Sequence, residues 1–185
     1  LSSPQFLYRS ELGERVGNVY KLTGYEMATY LSYTFLGTTP SASLLAAAGR
    51  GELDTPAGVR QHASALLGTQ QARSMLTNFV NRWIGTDQLE IKEKTGFPNF
   101  ATLANDMKLE LGKNFAHSML DPASTYETVY RPAHTHVNQR LAGLYGLPYS
   151  GLGADADGFV RTATNERGGI VMSGAFLSRY ATATE

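Results

Sequence analysis

The segment TQQARSMLTNFVNRWI, residues 69–84, decides the predicted fold. Its apolar residues recur at the spacing of one continuous stripe along an α-helix, and they are Ala72, Met75, Leu76, Phe79, Val80, Trp83 and Ile84. Thr69 is the expected N-cap, and Gly85 follows where the helix should stop. Because the stripe carries Phe and the chain's only Trp, we expect other helices to cover it.

Capping and stop signals predict further helices on both sides of this segment. Residues 23–26, TGYE, form a capping box. A long helix with an apolar stripe is expected over residues 102–120, packed against the 69–84 helix at the centre of the fold. Gly112 costs that helix about 1 kcal/mol relative to Ala, which indicates close packing at that point. Other expected helices cover residues 3–13, 41–48, 136–145 and 168–181.

The predicted fold class is mainly α, as a single-domain orthogonal or irregular bundle of about eight helices. Residues 149–164 are rich in Gly and Asp and are expected to form a loop. At most a short hairpin is expected, with residues 159–161, FVR, as one short strand. The 185 residues suit one domain. Since the chain begins with LSSPQF and ends with ATATE, we expect a fragment of a longer multidomain protein.

The bulk composition excludes several classes of function. Equal numbers of basic and acidic residues, 16 of each, argue against a nucleic-acid partner. The absence of Cys excludes thiolate chemistry and a C-x-x-C-H haem attachment in this segment. No apolar run reaches the length of a membrane span. The chain also lacks G-x-S-x-G, P-loop, G-x-G-x-x-G and H-E-x-x-H motifs, so no catalytic signature is present.

Five colinear blocks of the sequence resemble one known family. LSSPQFLYRSELG is similar to its opening block of a small residue, SP, FLYR and E. YEMATYLSYTFLGTTPSASLL is similar to ELA, RLSYFLW, G-x-x-PD and LL. FVNRWIG resembles F-x-x-QWL, THVNQRLAGLYGL resembles TFVNERLAxHYGL, and RGGIVMSGAFL resembles RGGLLTQAxFL. The family is the domain of unknown function 1592, and the last block runs into its usual neighbour, 1588.

The resemblance implies a cellular location and neighbouring domains, but no particular reaction. Members are usually parts of large exported bacterial proteins and are often linked to c-type cytochrome domains, which implies an extracytoplasmic location. The family provides no catalytic residues to carry over. This chain departs from the family pattern at Tyr30, where Arg is usual, at Ser41, where Asp is usual, and at Met172-Ser173. Any function of the replaced polar groups is therefore in doubt.

Glu110 and His117 are the first candidate catalytic pair. They lie seven residues apart on the long predicted helix, hence on one face, and both could reach a cleft as acid and base. The alternative is a solvated stripe that they share with Lys113.

His134 and His136 are candidate metal ligands. In an extended segment, residues two apart point to the same side and could share a metal, with Asp155 or Asp157 as a third ligand. The alternative is packing, since the family usually has Phe at the position of His136.

Asp155, Asp157 and Glu166 form a candidate calcium loop. The spacing differs from an EF-hand because Phe159 and Val160 stand where an oxygen donor and Gly are required. An irregular calcium site and a solvated loop both remain open.

Arg167, Gly168 and Gly169 are an anion candidate. At the start of the expected last helix, free N–H groups could bind an anion. The alternative is a tight turn.

These observations favour a non-catalytic structural or interaction module of a larger extracytoplasmic protein, beside a cytochrome c partner. The alternative is an extracellular hydrolase or oxidoreductase domain acting on a polymer, with its site near Glu110 and His117 or near the histidine pair. The expected last helix is apolar on more than one side because Phe176 lies off its stripe. We therefore expect a patch around Phe176 to contact other domains or fragments of the same precursor, or a second copy.

Overall fold

The computed structural model describes residue 3, residues 8–9, residues 11–164 and residues 166–181. Within them the chain forms eight α-helices and four short strands, which confirms the mainly α prediction. The helices are α1 Gly24–Leu36, α2 Ala42–Gly49, α3 Pro56–Leu67, α4 Gln70–Ile84, α5 Phe100–Leu120, α6 Tyr126–Tyr130, α7 Gln139–Tyr145 and α8 Gly174–Tyr180. The strands are β1 Glu14–Val16, β2 Val19–Lys21, β3 His134–Val137 and β4 Val160–Ala163. None of the described helices has the length and apolar character that crossing a membrane requires.

The chain divides into two compact units, Leu1–Met75 and Leu76–Glu185, and the division falls within α4. The core of the first unit is formed by α1, α2 and the 3₁₀ turn Glu52–Asp54, with Leu31, Leu44 and Leu53 buried. The expected capping box at the start of α1 is present: Thr23 Oγ1 accepts from Glu26 N, and Thr23 N donates to the Glu26 carboxylate. These donors, with the backbone N–H groups of residues 12 and 13, lower the pKa of Glu26 to about 2.

The second unit is built around α5. One side of this helix is almost continuously buried, and the core extends to α7, β3 and α8. Arg140 on α7 donates two hydrogen bonds to the buried Asp106 of α5, at 2.6 and 2.9 Å, which fixes α7 along the helix. The strands β3 and β4 pair in antiparallel register, with Thr135 opposite Thr162. The described residues thus contain two two-stranded sheets, β1–β2 and β3–β4, where at most a short hairpin is expected, and residues 160 and 161 of the expected strand lie in β4.

Helix α4 confirms the predicted segment to within one residue, but its aromatic stripe is only half covered. Thr69 Oγ1 accepts from Ala72 N as the expected N-cap does, and Gly85 follows the helix with φ 74°. Phe79 and Trp83 stack on each other and contact Phe115 of α5, yet they remain 50% and 54% exposed. The expectation that other helices cover Trp83 is therefore wrong, because within this unit α5 supports the rings from one side only.

Two predicted helices begin later in the chain than expected, and a third lies largely outside the described residues. The helix expected over residues 136–145 begins only at Gln139, because residues 134–137 are the strand β3. The helix expected over residues 168–181 begins at Gly174, capped by Ser173. Of the first expected helix, residues 3–13, much lies outside the described residues.

Gly112 lies where α5 meets α4, as its position in a helix interior indicated. A Cβ added to Gly112 would stand 2.3 Å from Cγ2 and 2.5 Å from Oγ1 of Thr77. Contacts this short do not occur between real side chains, so the two helices approach closely because residue 112 has no side chain.

We predict opposite effects for two Gly→Ala changes in helices of the second unit. Gly112→Ala should lower the free energy of unfolding by about 1 kcal/mol, since overpacking against Thr77 outweighs the gain in helix propensity. Gly143→Ala in α7 should raise it by up to about 1 kcal/mol, because nothing lies within 4 Å of its added Cβ. Urea unfolding followed by circular dichroism measures both. A stabilised Gly112→Ala variant would contradict the proposed close approach.

Candidate functional site

A buried carboxylate lies at the centre of the second unit. Glu110 of α5 has no exposed surface. Its Oε1 accepts from Thr135 Oγ1 of β3 at 2.7 Å, and its Oε2 accepts from the Tyr145 hydroxyl of α7 at 2.7 Å. The N–H of Gly174, the first residue of α8, donates a third hydrogen bond. Four elements therefore converge on one side chain.

Burial dominates the electrostatics of this site. It raises the pKa of Glu110, while the three donors and the charge of Arg167 act in the opposite direction. Burial and the neighbouring carboxylate also raise the pKa of Tyr145, so the phenol stays protonated and acts as a donor. Gly174 is required here because a Cβ at this position would lie 2.1 Å from the Tyr145 hydroxyl oxygen.

The hydrogen-bond network continues from Glu110 along α5. Asn114 Nδ2 donates to Thr135 Oγ1 at 2.9 Å, and Asn114 Oδ1 accepts from the backbone N–H of His136 at 3.1 Å. The same Oδ1 lies 2.7 Å from His136 Nδ1. Since an amide oxygen only accepts, His136 carries its proton on Nδ1. This arrangement leaves the Nε2 lone pair of His136 unused by the network.

Three imidazoles form a cluster at the end of this network. The ring centroids of His117, His134 and His136 lie 4.8 to 5.9 Å apart. His117 Nε2 accepts from Arg161 at 3.0 Å, and His134 Nε2 is buried with no described hydrogen-bond partner. Burial, and then the neighbouring imidazoles and cations, lower the pKa of His136 to about 4. Burial followed by the charges of His117 and Arg161 also lowers the pKa of His134.

The structure regroups the candidate residues. Glu110 and His117 do not share a cleft: Glu110 is enclosed in the core, whereas His117 joins His134 and His136. The alternation expected for an extended segment is present, because Thr135 is buried while His134 and His136 lie side by side on the other face of β3. Among the described residues no group of three or more His, Asp or Glu is arranged to hold a metal ion.

The two aspartates of the candidate calcium loop are paired with a lysine. Lys113 Nζ donates to the carboxylates of Asp155 and Asp157 at 2.7 and 2.8 Å. Asp155 also accepts from the N–H groups of residues 157 and 159, which closes the loop as a turn. Although partial burial acts to raise it, the hydrogen bond from Lys113 and these backbone donors lower the pKa of Asp155. Glu166 is exposed and takes no part in this arrangement.

The candidate anion site at Arg167, Gly168 and Gly169 does not lie at the start of a helix. Gly168 and Gly169 have φ values of 136° and 66° and form a turn against the carbonyls of residues 130, 132 and 134. Helix α8 begins five residues after Gly169, at Gly174. The side chain of Arg167 leaves this turn and places its guanidinium 4.5 Å from the centroid of the Tyr145 ring.

An open cleft lies beside Arg167, within the second unit. Its volume is about 460 Å³, and its wall is mainly apolar. The polar groups on the wall include Arg167, Lys94 and Ser178. The lining residues are Lys94, Thr95, Phe97, Phe100, Leu103, Met107, Leu144, Tyr145, Arg167, Gly174, Leu177, Ser178 and Ala181.

Sequence reasoning missed Asn114, Thr135 and Tyr145 as site residues. One signal was available for Asn114, which lies one helical turn after Glu110 on a helix with an apolar stripe. The partners of Glu110 on β3 and α7 are 25 and 35 residues away, so no local pattern pointed to them.

The fold and the site define a class: a mainly α-helical protein whose second unit carries a buried carboxylate network beside an open apolar cleft. The sequence model of one family, PSD4, described as protein of unknown function (DUF1592), matches residues 22–147, and the chain belongs to that family. The match includes Glu110, Asn114, Thr135 and Tyr145 and ends before Arg167. No curated protein and no solved structure matches the chain.

We predict that Tyr145→Phe destabilises the second unit. The change removes one donor from a fully buried carboxylate, which costs about 1–3 kcal/mol. Urea unfolding followed by the fluorescence of Trp83, which lies in the same unit, measures the loss. The matched control is Tyr20→Phe, since Tyr20 is 72% exposed and its change should stay within about 0.5 kcal/mol. Equal effects of the two substitutions would show that the Tyr145 hydroxyl adds no stability.

We also predict that the second unit loses stability in acid. The pKa of His136 falls from 6.5 to about 4 on folding, so between these values the unfolded chain binds the proton and the folded chain does not. The contribution of His136 to stability is therefore fully present above pH 6.5 and is lost as the pH falls towards 4, whereas the raised pKa of Glu110 acts in the opposite direction. The groups that oppose protonation are His117, His134, Lys113 and Arg161.

The measurement is urea unfolding at several pH values, again followed by Trp83 fluorescence. His136→Gln should flatten the pH dependence in this window, because the amide cannot be protonated there. His62→Gln, in the first unit, serves as the control. If His136→Gln leaves the slope unchanged, another group is responsible for the acid sensitivity.

Proposed function

We propose that this chain is a non-catalytic binding module of a larger extracytoplasmic bacterial protein that works beside a c-type cytochrome partner. The observation that carries the proposal is the open, mainly apolar cleft of about 460 Å³ in the second unit. Its volume falls in the range of roughly 300–1,000 Å³ that is typical of ligand sites. The extracytoplasmic setting and the cytochrome neighbour rest on the family resemblance alone.

The state of the candidate catalytic groups supports binding over catalysis. A general acid or base must contact its substrate, whereas Glu110 has no exposed surface and both of its oxygens accept hydrogen bonds from protein groups. The carboxylates of Asp155 and Asp157 are paired with Lys113. The accessible wall of the cleft instead presents aliphatic and aromatic side chains.

The expected patch around Phe176 takes a different form from the prediction. Phe176 itself is partly buried against the core, while its neighbour Leu177 is 42% exposed and lines the cleft. Val171, Met172 and Tyr180 are also exposed nearby in the chain. We therefore place the binding surface of the proposed module at the cleft and at the exposed side of α8.

A second candidate is an enzyme, and the cluster of His117, His134 and His136 favours it. Imidazole nitrogens without a described hydrogen-bond partner, such as Nε2 of His134, are suited to proton transfer. The metal content of the purified protein separates the two proposals. Stoichiometric zinc, copper or iron that is lost in His117→Ala and His134→Ala variants would favour the enzyme over the binding module.

The proposal predicts that a neutral apolar probe binds in the cleft. Titration of ¹⁵N-labelled protein with 1-octanol should shift backbone resonances of residues on the cleft wall. Leu177→Ser should weaken this binding several-fold, because Leu177 lines the cleft. Leu152→Ser is the matched control, since Leu152 is 83% exposed and does not line the cleft. Shifts that are absent from the cleft wall, or that persist unchanged in Leu177→Ser, would overturn the proposal.

A further inference from the structure

The cleft combines an apolar wall with positive charge. Two cationic side chains, Arg167 and Lys94, are among its described lining residues, and no Asp or Glu is among them. Glu110 accepts a hydrogen bond from the hydroxyl of Tyr145, which lies on the cleft wall, but Glu110 itself has no exposed surface. A ligand in the cleft therefore meets aliphatic and aromatic groups and positive charge.

Arg167 has the geometry of a prepared anion anchor. Its guanidinium stacks over the Tyr145 ring at 4.5 Å, and its charge acts on Glu110 behind that ring. Within the described part of the chain, no group accepts a hydrogen bond from the guanidinium or forms an ion pair with it. The Tyr145 ring is held in place because its hydroxyl donates to Glu110. The Tyr145 ring that supports Arg167 therefore has a fixed position, and the five N–H donors of the guanidinium can form hydrogen bonds to a ligand.

The other cation on the wall, Lys94, differs from Arg167. Its ammonium donates to the carbonyl of Ala181 at 2.9 Å and is therefore already engaged. The anion site inferred for the cleft rests on Arg167 alone.

We propose that the cleft binds a small apolar monocarboxylate, whose carboxylate pairs with Arg167 and whose hydrocarbon part lies on the apolar wall. Guanidinium and carboxylate match in a planar, two-bond geometry. The apolar part gains free energy by leaving water against Phe97, Leu144 and Leu177. This inference rests on the proposed function, since it names the ligand class of the same cleft.

Two probes of equal chain length test the charge requirement. Octanoate and 1-octanol differ at the head group, and at neutral pH only octanoate is charged. In the unchanged protein, calorimetric titration should show octanoate binding about tenfold more tightly than 1-octanol, because a hydrogen bond to a charged group contributes a larger free energy than one to a neutral group.

Substitutions of Arg167 test whether this residue causes the preference for octanoate over 1-octanol. Arg167→Gln should bring the two affinities to within about twofold, mainly by weakening octanoate. Arg167→Lys should keep part of the preference, because it retains the charge without the two-bond geometry. Arg60→Gln, an exposed arginine of α3 in the first unit, is the matched control and should keep the full preference. Circular dichroism checks the folding of each variant, and Arg167→Lys serves if Arg167→Gln does not fold.

The outcomes separate this inference from the proposed function. Equal binding of both probes in the unchanged protein overturns the carboxylate inference and leaves the binding module standing. If neither octanoate nor 1-octanol binds, both the carboxylate inference and the proposed binding module are overturned. Tighter binding of the dipeptide acid N-acetyl-Leu-Phe than of octanoate, lost in its amide, would replace the small acid with the C-terminus of a peptide. A preference that survives Arg167→Gln would remove Arg167 as the anchor.

Discussion

The carboxylate of Glu110 is the constraint on which the second unit depends. A buried carboxylate without hydrogen-bond donors is costly, so a fold that places one in its core must bring the donors with it. Here the donors come from β3, α7 and the first residue of α8, and two of them lie 25 and 35 residues away in the chain. Correct placement of α5 therefore requires three other elements at once, which makes this network a determinant of the fold rather than an accessory to it.

The same network shapes the surface cleft. Because the Tyr145 hydroxyl is tied to Glu110, the Tyr145 ring has one orientation, and Arg167 packs over its face. Gly174 allows this arrangement, since any side chain there would collide with the Tyr145 hydroxyl. Helix α8 then places Leu177 on the cleft wall. A polar group that solvent cannot reach thus fixes the position of groups that solvent can reach.

Local signals predicted the local structure well and the long-range structure poorly. The apolar spacing of residues 69–84 and the capping box at Thr23 are local, and α4 and α1 follow them closely. The extent to which a stripe is covered is not local, so half-exposed Trp83 escaped prediction. Periodicity also extended the last helix back to residue 168, although positive φ values at two glycines end any helix there. The helix expected from residue 136 also begins later, because residues 134–137 are a strand whose pairing with residues 160–163 leaves no local signal.

The polar groups described in the second unit differ in how far other protein groups already engage them. Several candidate residues are already engaged: Glu110 by its donors, Nδ1 of His136 by Asn114, and Asp155 by Lys113. Arg167, by contrast, has donors that no described residue uses, and it lies on an open cleft. A guanidinium stays charged at any physiological pH and neither donates nor accepts a proton in chemistry. The guanidinium of Arg167 is therefore suited to holding an anion, which is the role that we propose for it.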